Sequence, residues 1–295
     1  MKKTSKSILL FVTLITLLLL YLLNSGFIIN NVIEYSLLFL TKLFPVSFVF
    51  FIMATLLIDL GLIEFLNQYL KINVSNYYIL LISMISGFPS GAKYALDLYN
   101  KGLIDLETAN KSVMYSHFPN PLFIMGSVNY ILHDSLLALK ILLAIWISNL
   151  LIFLRNKNKS GVFINSYTTP DSFSVLNKAI NNSFQTMMLI YGISLFFYLI
   201  STIITKYITL SPITYILVCG IFDLTNGVFA TTLINSNIIR SIFILIFICF
   251  GSISIHMQVK GIITDSPIKY SYFLLGRLFG LIISLIVFLV LNLLF

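Results

Sequence analysis

Apolar stretches of about twenty residues, the length needed to cross the hydrocarbon core of a bilayer, recur from one end of this chain to the other. The first is 8-ILLFVTLITLLLLYLL-23, and another fills 270–294. Composition agrees: of 295 residues, 59% are hydrophobic and only 9% charged, too few charges to cover a water-soluble surface. In lipid every backbone N–H and C=O needs a partner inside the protein, so the runs are read as helices. The longest polar interval, about 155 to 178, is too short to bury a core of its own.

The net charge of +8 is spread over short loops between the apolar runs. That pattern orients a chain in the membrane and does not form a nucleic-acid surface. Cys219 and Cys249 lie within apolar runs without metal or disulfide spacing and are expected to pack. Lys2, Lys3 and Lys6 hold the N-terminus in the cytoplasm. Asn24-Ser25-Gly26-Phe27 makes a poor cleavage site, so the first run is expected to stay as a signal anchor.

The expected path starts with a span at about 8–29, then an amphipathic helix on the outer surface, 31-NNVIEYSLLFLTK-43. A second span covers about 45–66 and is followed by Lys71. Residues 76–100 hold two apolar pieces, each too short to cross, around 86-SGFPSGAK-93, and read as a re-entrant hairpin. A span at 105–132 is interrupted by 116-SHFPNP-121, and one at 135–154 ends on Arg155, Lys157 and Lys159. The plan then repeats. A span at 183–205, after Lys178, precedes a hairpin at 211–237 around 223-DLTNG-227. A span at 238–258 contains 251-GSISIHMQ-258, and the span at 270–294 follows Lys260 and Lys269.

The expected fold class is therefore all-α: a polytopic membrane protein of two inverted-topology repeats, each with a re-entrant helical hairpin and an interrupted transmembrane helix. The divisions are 1–43 (anchor and surface helix), 44–155 (first repeat), 156–180 (cytoplasmic basic loop) and 181–295 (second, inverted repeat). Inverted repeats with broken helices at mid-membrane mark secondary transporters.

A helix that unwinds in hydrocarbon frees backbone groups at a cost of several kcal/mol each, so the four breaks are expected to converge on a solute site. Gly87, Pro89 and Gly91 suit a sharp turn. The helix starting at Ser90 offers exposed N–H groups and a partial positive charge, which with Lys93 suits an anion. The plainer readings are a structural turn for Ser86, Gly87, Pro89 and Gly91, and for Lys93 a snorkelling lysine or an i,i+4 pair with Asp97. His117 and Asn120 flank Pro119 at the second break and are candidates for ligand contact, as are Thr225 and Asn226 at the third and His256 and Gln258 at the fourth. Asp223 is either the site of a coupling proton or sodium ion or a helix cap, with Asp59 a further coupling candidate. His133 is expected at the interface. Arg277 is expected to neutralise an acid or a headgroup.

No metal-spaced cluster, nucleotide loop or Ser/His/Asp set is present in the sequence, so neither an enzyme nor a cofactor is expected. Taken together, GFPSGAK followed by DLYNKGLI, then SHFPNPLFIMGSV, DLTNG and SISIHMQV resemble the sporulation integral membrane proteins of YlbJ type, also called SpoVV. The likeness covers about 40–290. That family sits in the wider nucleoside-recognition Gate group, related in architecture to concentrative nucleoside transporters. The resemblance implies transport of dipicolinic acid across the outer forespore membrane of a sporulating bacterium. Its partners would be a small anionic substrate, the lipid bilayer and a coupling ion, with a homo-oligomer open through the spans at 8–29, 135–154 and 270–294. Two other readings are a carrier of nucleoside-like or other small solutes, in which Asn120, Thr225 and Asn226 matter more than Lys93, and a non-transporting sporulation scaffold.

Overall fold

The computed structural model describes residues 2–70, 74–157 and 172–294. Lys71, Lys159 and most of the loop expected at 156–180 lie outside the described residues. Every described element is a helix. The first half comprises α1 (Lys2–Leu23), α2 (Ser25–Leu38), a π-helical turn (Phe39–Leu43), α3 (Phe44–Asp59), α4 (Leu62–Leu70), α5 (Ser75–Ser86), α6 (Ser90–Asn100) and α7 (Leu106–Tyr115). A second π-helical turn (Phe123–Val128), α8 (Asn129–Leu132) and α9 (Ser135–Asn156) complete it. The second half comprises α10 (Ser172–Tyr207), α11 (Pro212–Phe222), α12 (Leu224–Ala230), a 3-10 turn (Thr231–Leu233), α13 (Asn237–Phe250), α14 (Ile253–Ile263) and α15 (Tyr270–Leu294).

The helix starts are chemically marked. Side-chain oxygens of Asp105, Asp134, Ser211, Asp223, Ser236 and Ser252 accept from the first-turn N–H groups of α7, α9, α11, α12, α13 and α14. Each satisfies a donor that the helix itself cannot pair. Two of these caps, Asp223 and Ser252, lie at breaks, because α12 and α14 begin where the preceding helix has just ended.

Among the described residues four helices, α9, α10, the α13–α14 pair and α15, are long and apolar enough to cross a membrane, and the number rises to six if each of two bent pairs is one span. Both bends depart from the expected path. The first span does not run to residue 29: the chain turns by 93° at Asn24. Asn24 is held there because its Oδ1 accepts from Lys206 Nζ (2.6 Å) and from the Tyr207 hydroxyl (2.7 Å), at the end of α10. One face of 31–43 packs inward, with Tyr35 and Phe39 buried, while Ile33, Leu37 and Leu40 stay exposed on the other. The helix expected on the outer surface thus has one face turned into the molecule. The second span bends by 54° between α3 and α4, where Gly61 takes φ +82°. At 36 residues α10 is roughly 54 Å long, well beyond the expected 183–205.

At the centre, α15 packs on α9, α7 and α13, while α10 packs on α3, α14, α11 and α2. The interrupted helix of each half thus lies against the last helix of both halves. Contact at α7–α15 is close because Gly276 faces the Met114 backbone, where a Cβ would have no room. Ser148 on α9 donates to the Gly280 carbonyl (3.0 Å), one turn further along α15.

Candidate functional site: four helix breaks around two cavities

At the first break, α5 ends on Gly87 with φ +80°, and α6 restarts at Ser90 after a cis Phe88–Pro89 bond. The Ser86 and Ser90 hydroxyls lie 2.6 Å apart, and Ser90 also donates to the Gly87 carbonyl. At the second break the chain is non-helical from Ser116 to Asn120. The two breaks touch through backbone: a Cβ on Gly91 would collide with Ser116, and one on Gly87 with Asn120. The glycines are therefore needed for this approach as well as for the turn.

The third and fourth breaks meet in the same way. Asp223 separates α11 from α12, its Oδ1 accepting from Asn226 N (3.0 Å) and its Oδ2 from Ser254 Oγ (3.3 Å) across the fourth break. The Tyr35 hydroxyl from α2 stands 3.5 Å from the same Oδ2. Gly251, with φ +88°, ends α13, and Ser252 starts α14 with its hydroxyl 2.7 Å from that of Ser254. One side chain joins the pairs: His117 Nε2 lies 3.2 Å from the Ile248 carbonyl near the end of α13.

The carbonyls released by the broken helices converge on Arg277, which is 1% exposed. Its Nη2 donates to Met114 O (2.8 Å) near the end of α7 and to Asn149 Oδ1 (3.3 Å), and its Nη1 to Cys249 O (3.2 Å) near the end of α13. Asn149 Nδ2 in turn donates to His117 O (2.8 Å). A helix C-terminus carries partial negative charge, so two such ends and an amide provide the counter-charge for this cation. The expected acid or headgroup is replaced by backbone. Position 277 lies mid-helix in α15, and its partners come from three other helices, which no spacing in the sequence reveals.

Two adjoining cavities lie beside the breaks. The inner one, about 70 Å³, is lined by Ser86 and Phe88, Asn120, and Asp223 and Thr225 at the first three breaks, and by Ile255 and Gln258 just after the fourth. Tyr35, Ser47 and Ser194 add hydroxyls to its wall. The outer one, about 590 Å³, shares Leu43, Ser47, Asn120, Phe123 and Thr225 with it. Both π-helical turns contribute to the outer wall, and among the described residues Lys42 is the one charged residue lining it.

Of the sequence candidates, Ser86, Asn120, Asp223, Thr225 and Gln258 line the inner cavity. Lys93 does not: it is buried against Thr55 Oγ1 (3.0 Å) and Asp97 Oδ2 (2.6 Å), the i,i+4 pair. Asp59 is ion-paired with Lys101 (2.7 Å). Asn226 Nδ2 donates to Ser201 Oγ (3.0 Å). His117 and His256 flank the Phe273 ring, at 5.4 and 5.3 Å between centroids, and His256 Nδ1 meets the Tyr270 hydroxyl at 2.6 Å. Gly87, Ser90 and Gly91 shape the first turn. Tyr35, Lys42, Ser47 and Ser194 were not among the candidates. Tyr35 and Phe39 share one helical face, but a surface helix and a cavity wall have the same apolar spacing.

No family model matches the chain, and no solved structure matches it. It is similar to the sporulation integral membrane protein YlbJ of Bacillus subtilis (strain 168). The two are 22% identical over 286 residues, which covers 80% of this chain and 70% of that protein. The chain is thus an integral, multi-pass membrane protein distantly related to a sporulation protein.

Proposed function

We propose that this protein is a secondary transporter of a small anionic organic solute, with dipicolinate the first candidate, working by alternating access around the four helix breaks. The observation that carries the reading is that residues at three of the breaks, and of the first two turns of α14 after the fourth, line one inner cavity. Unwound backbone at depth is costly in a lipid-facing helix and recurs in carriers, where it lines a solute path. The order of pieces in the two halves, a broken hairpin, an interrupted helix and a long helix, supports two inverted repeats. On that reading the N-terminus is cytoplasmic and the hairpins enter from opposite faces, with the outer cavity as the vestibule. The name of the relative supports a place in sporulation; the outer forespore membrane is the site of action we propose.

The solute would meet Asn120 and Thr225, which line both cavities, and Lys42 in the vestibule. Uptake of labelled dipicolinate by proteoliposomes tests this. Asn120→Ala and Thr225→Val should each lower uptake at least tenfold while the purified variants melt like the parent. Parental uptake by both variants removes the site. A second reading, a neutral nucleoside-like solute, is favoured by one observation: Lys93 is already paired, and the amide and hydroxyl groups face the cavity. Competition of binding by nucleosides but not by dicarboxylates would establish it.

A further inference from the structure

The inner cavity is chemically one-sided. Among the described residues its charged wall residue is Asp223, 2% exposed, and its remaining polar wall residues are hydroxyls and amides. Gln258, 1% exposed, donates through Nε2 to Ser194 Oγ (2.7 Å), while its Oε1 is buried with no partner. A buried acceptor without a donor costs about 1–3 kcal/mol, so an unpaired one on a cavity wall points to something that occupies the cavity. Asp223 spends Oδ1 on the α12 N-terminus, and Oδ2 has only the long contacts at 3.3 and 3.5 Å. A bare organic anion placed here would face a carboxylate and an unpaired carbonyl oxygen, both repulsive to it.

We infer that the inner cavity binds a small positive charge held by Asp223 Oδ2 and Gln258 Oε1, with Tyr35, Ser194 and Thr225 hydroxyls completing an oxygen-lined site. The charge compensates the anionic solute in the vestibule, where Lys42 stands. This rests on the transport reading and deepens it. The positive group comes either from a co-bound alkali cation such as sodium or from a protonated nitrogen on the solute itself. A volume of about 70 Å³ accommodates either with little water.

Thermal unfolding of the detergent-purified full chain separates the sources, with sodium chloride, methylammonium chloride or choline chloride at equal ionic strength. Specific stabilisation by sodium over choline, with Tm rising by about 3 °C for a tenfold excess over Kd, identifies a co-bound ion. Stabilisation by methylammonium without a sodium effect identifies the solute's own nitrogen. Asp223→Asn retains the helix cap but should abolish the response, as should Gln258→Met. Amide oxygen and nitrogen are assigned from their neighbours, so Gln258→Glu, an acceptor at both atoms, is the deciding variant: it should keep or strengthen the response. Loss of the response in Gln258→Glu, its survival in Asp223→Asn, or no difference among the three salts for the parent each overturns the inference. Dipicolinate uptake is measured separately, so failure here leaves a distinguishable result for transport.

Discussion

Arg277 shows what a single side chain contributes when helices are broken. Its guanidinium joins the open carbonyl ends of α7 and α13 and the Asn149 amide, with Phe273 at 5.4 Å. Arg277→Leu removes the charge and strands three buried acceptors, and should cost about 3 kcal/mol or more, read as a fall in Tm and in membrane yield. Arg277→Lys, with a point charge in place of a planar fork, should recover only part of that loss. Lys93 calls for a different experiment. Its ion pair with Asp97 makes the single change Lys93→Met destabilising, because a partly buried carboxylate loses its partner. The double change Lys93→Met with Asp97→Asn should return about 1–3 kcal/mol of that loss as coupling energy and restore dipicolinate uptake. Uptake that stays absent in a well-folded double variant would instead give Lys93 a direct part in handling the solute.

Among the elements, the breaks are positioned by close backbone approach more than by long side chains. Gly91 on α6 lies against Ser116 beyond α7, and Gly227 on α12 lies against the backbone of Gly220 on α11. Gly91→Ala should therefore drive the first two breaks apart and cost about 2–3 kcal/mol, measured as a lowered Tm. Gly126, in the second π-helical turn, has open space around its Cβ position, and Gly126→Ala should be neutral or mildly stabilising in the same assay. Equal effects at the two positions would argue that the contact at Gly91 does not hold the breaks together. The contrast has a sequence lesson. Both glycines sit in apolar or turn-rich surroundings, and only the neighbour brought up from another helix distinguishes them.

Across the whole molecule, the interrupted helices α7 and α13 lie against α15, while α10 gathers α3, α14, α11 and α2. The inner cavity is walled by the broken helices together with α2, the first π-helical turn, α3 and α10, which supply Tyr35, Phe39, Ser47 and Ser194. Relative motion of the groups would open or close the connection at Asn120, Thr225, Phe123 and Leu43, the residues shared by both cavities along with Ser47. The loss of uptake expected for Asn120→Ala and Thr225→Val belongs to this scale, since both sit where the two spaces join.

The sequence alone determined that the chain is helical and membrane-embedded, and where four of its helix breaks fall, though not the bends at Asn24 and Gly61. Apolar length and the chemistry of Gly, Pro, Ser and Asp are local properties, and the termini found at Ser86, Tyr115, Phe222 and Phe250 lie at or beside the four motifs. Ser86, Asn120, Asp223, Thr225 and Gln258, all drawn from the four motifs, line one space. Only the tertiary structure decided which polar groups face that space and which are spent elsewhere. Lys93 had a partner one turn along its own helix, and Asp59 one on another. Asn24 turned the chain inward because the end of α10 was there to bind it. Charges and amides in a low-dielectric interior must pair with whatever packing brings near, and packing is set by contacts far apart in the chain.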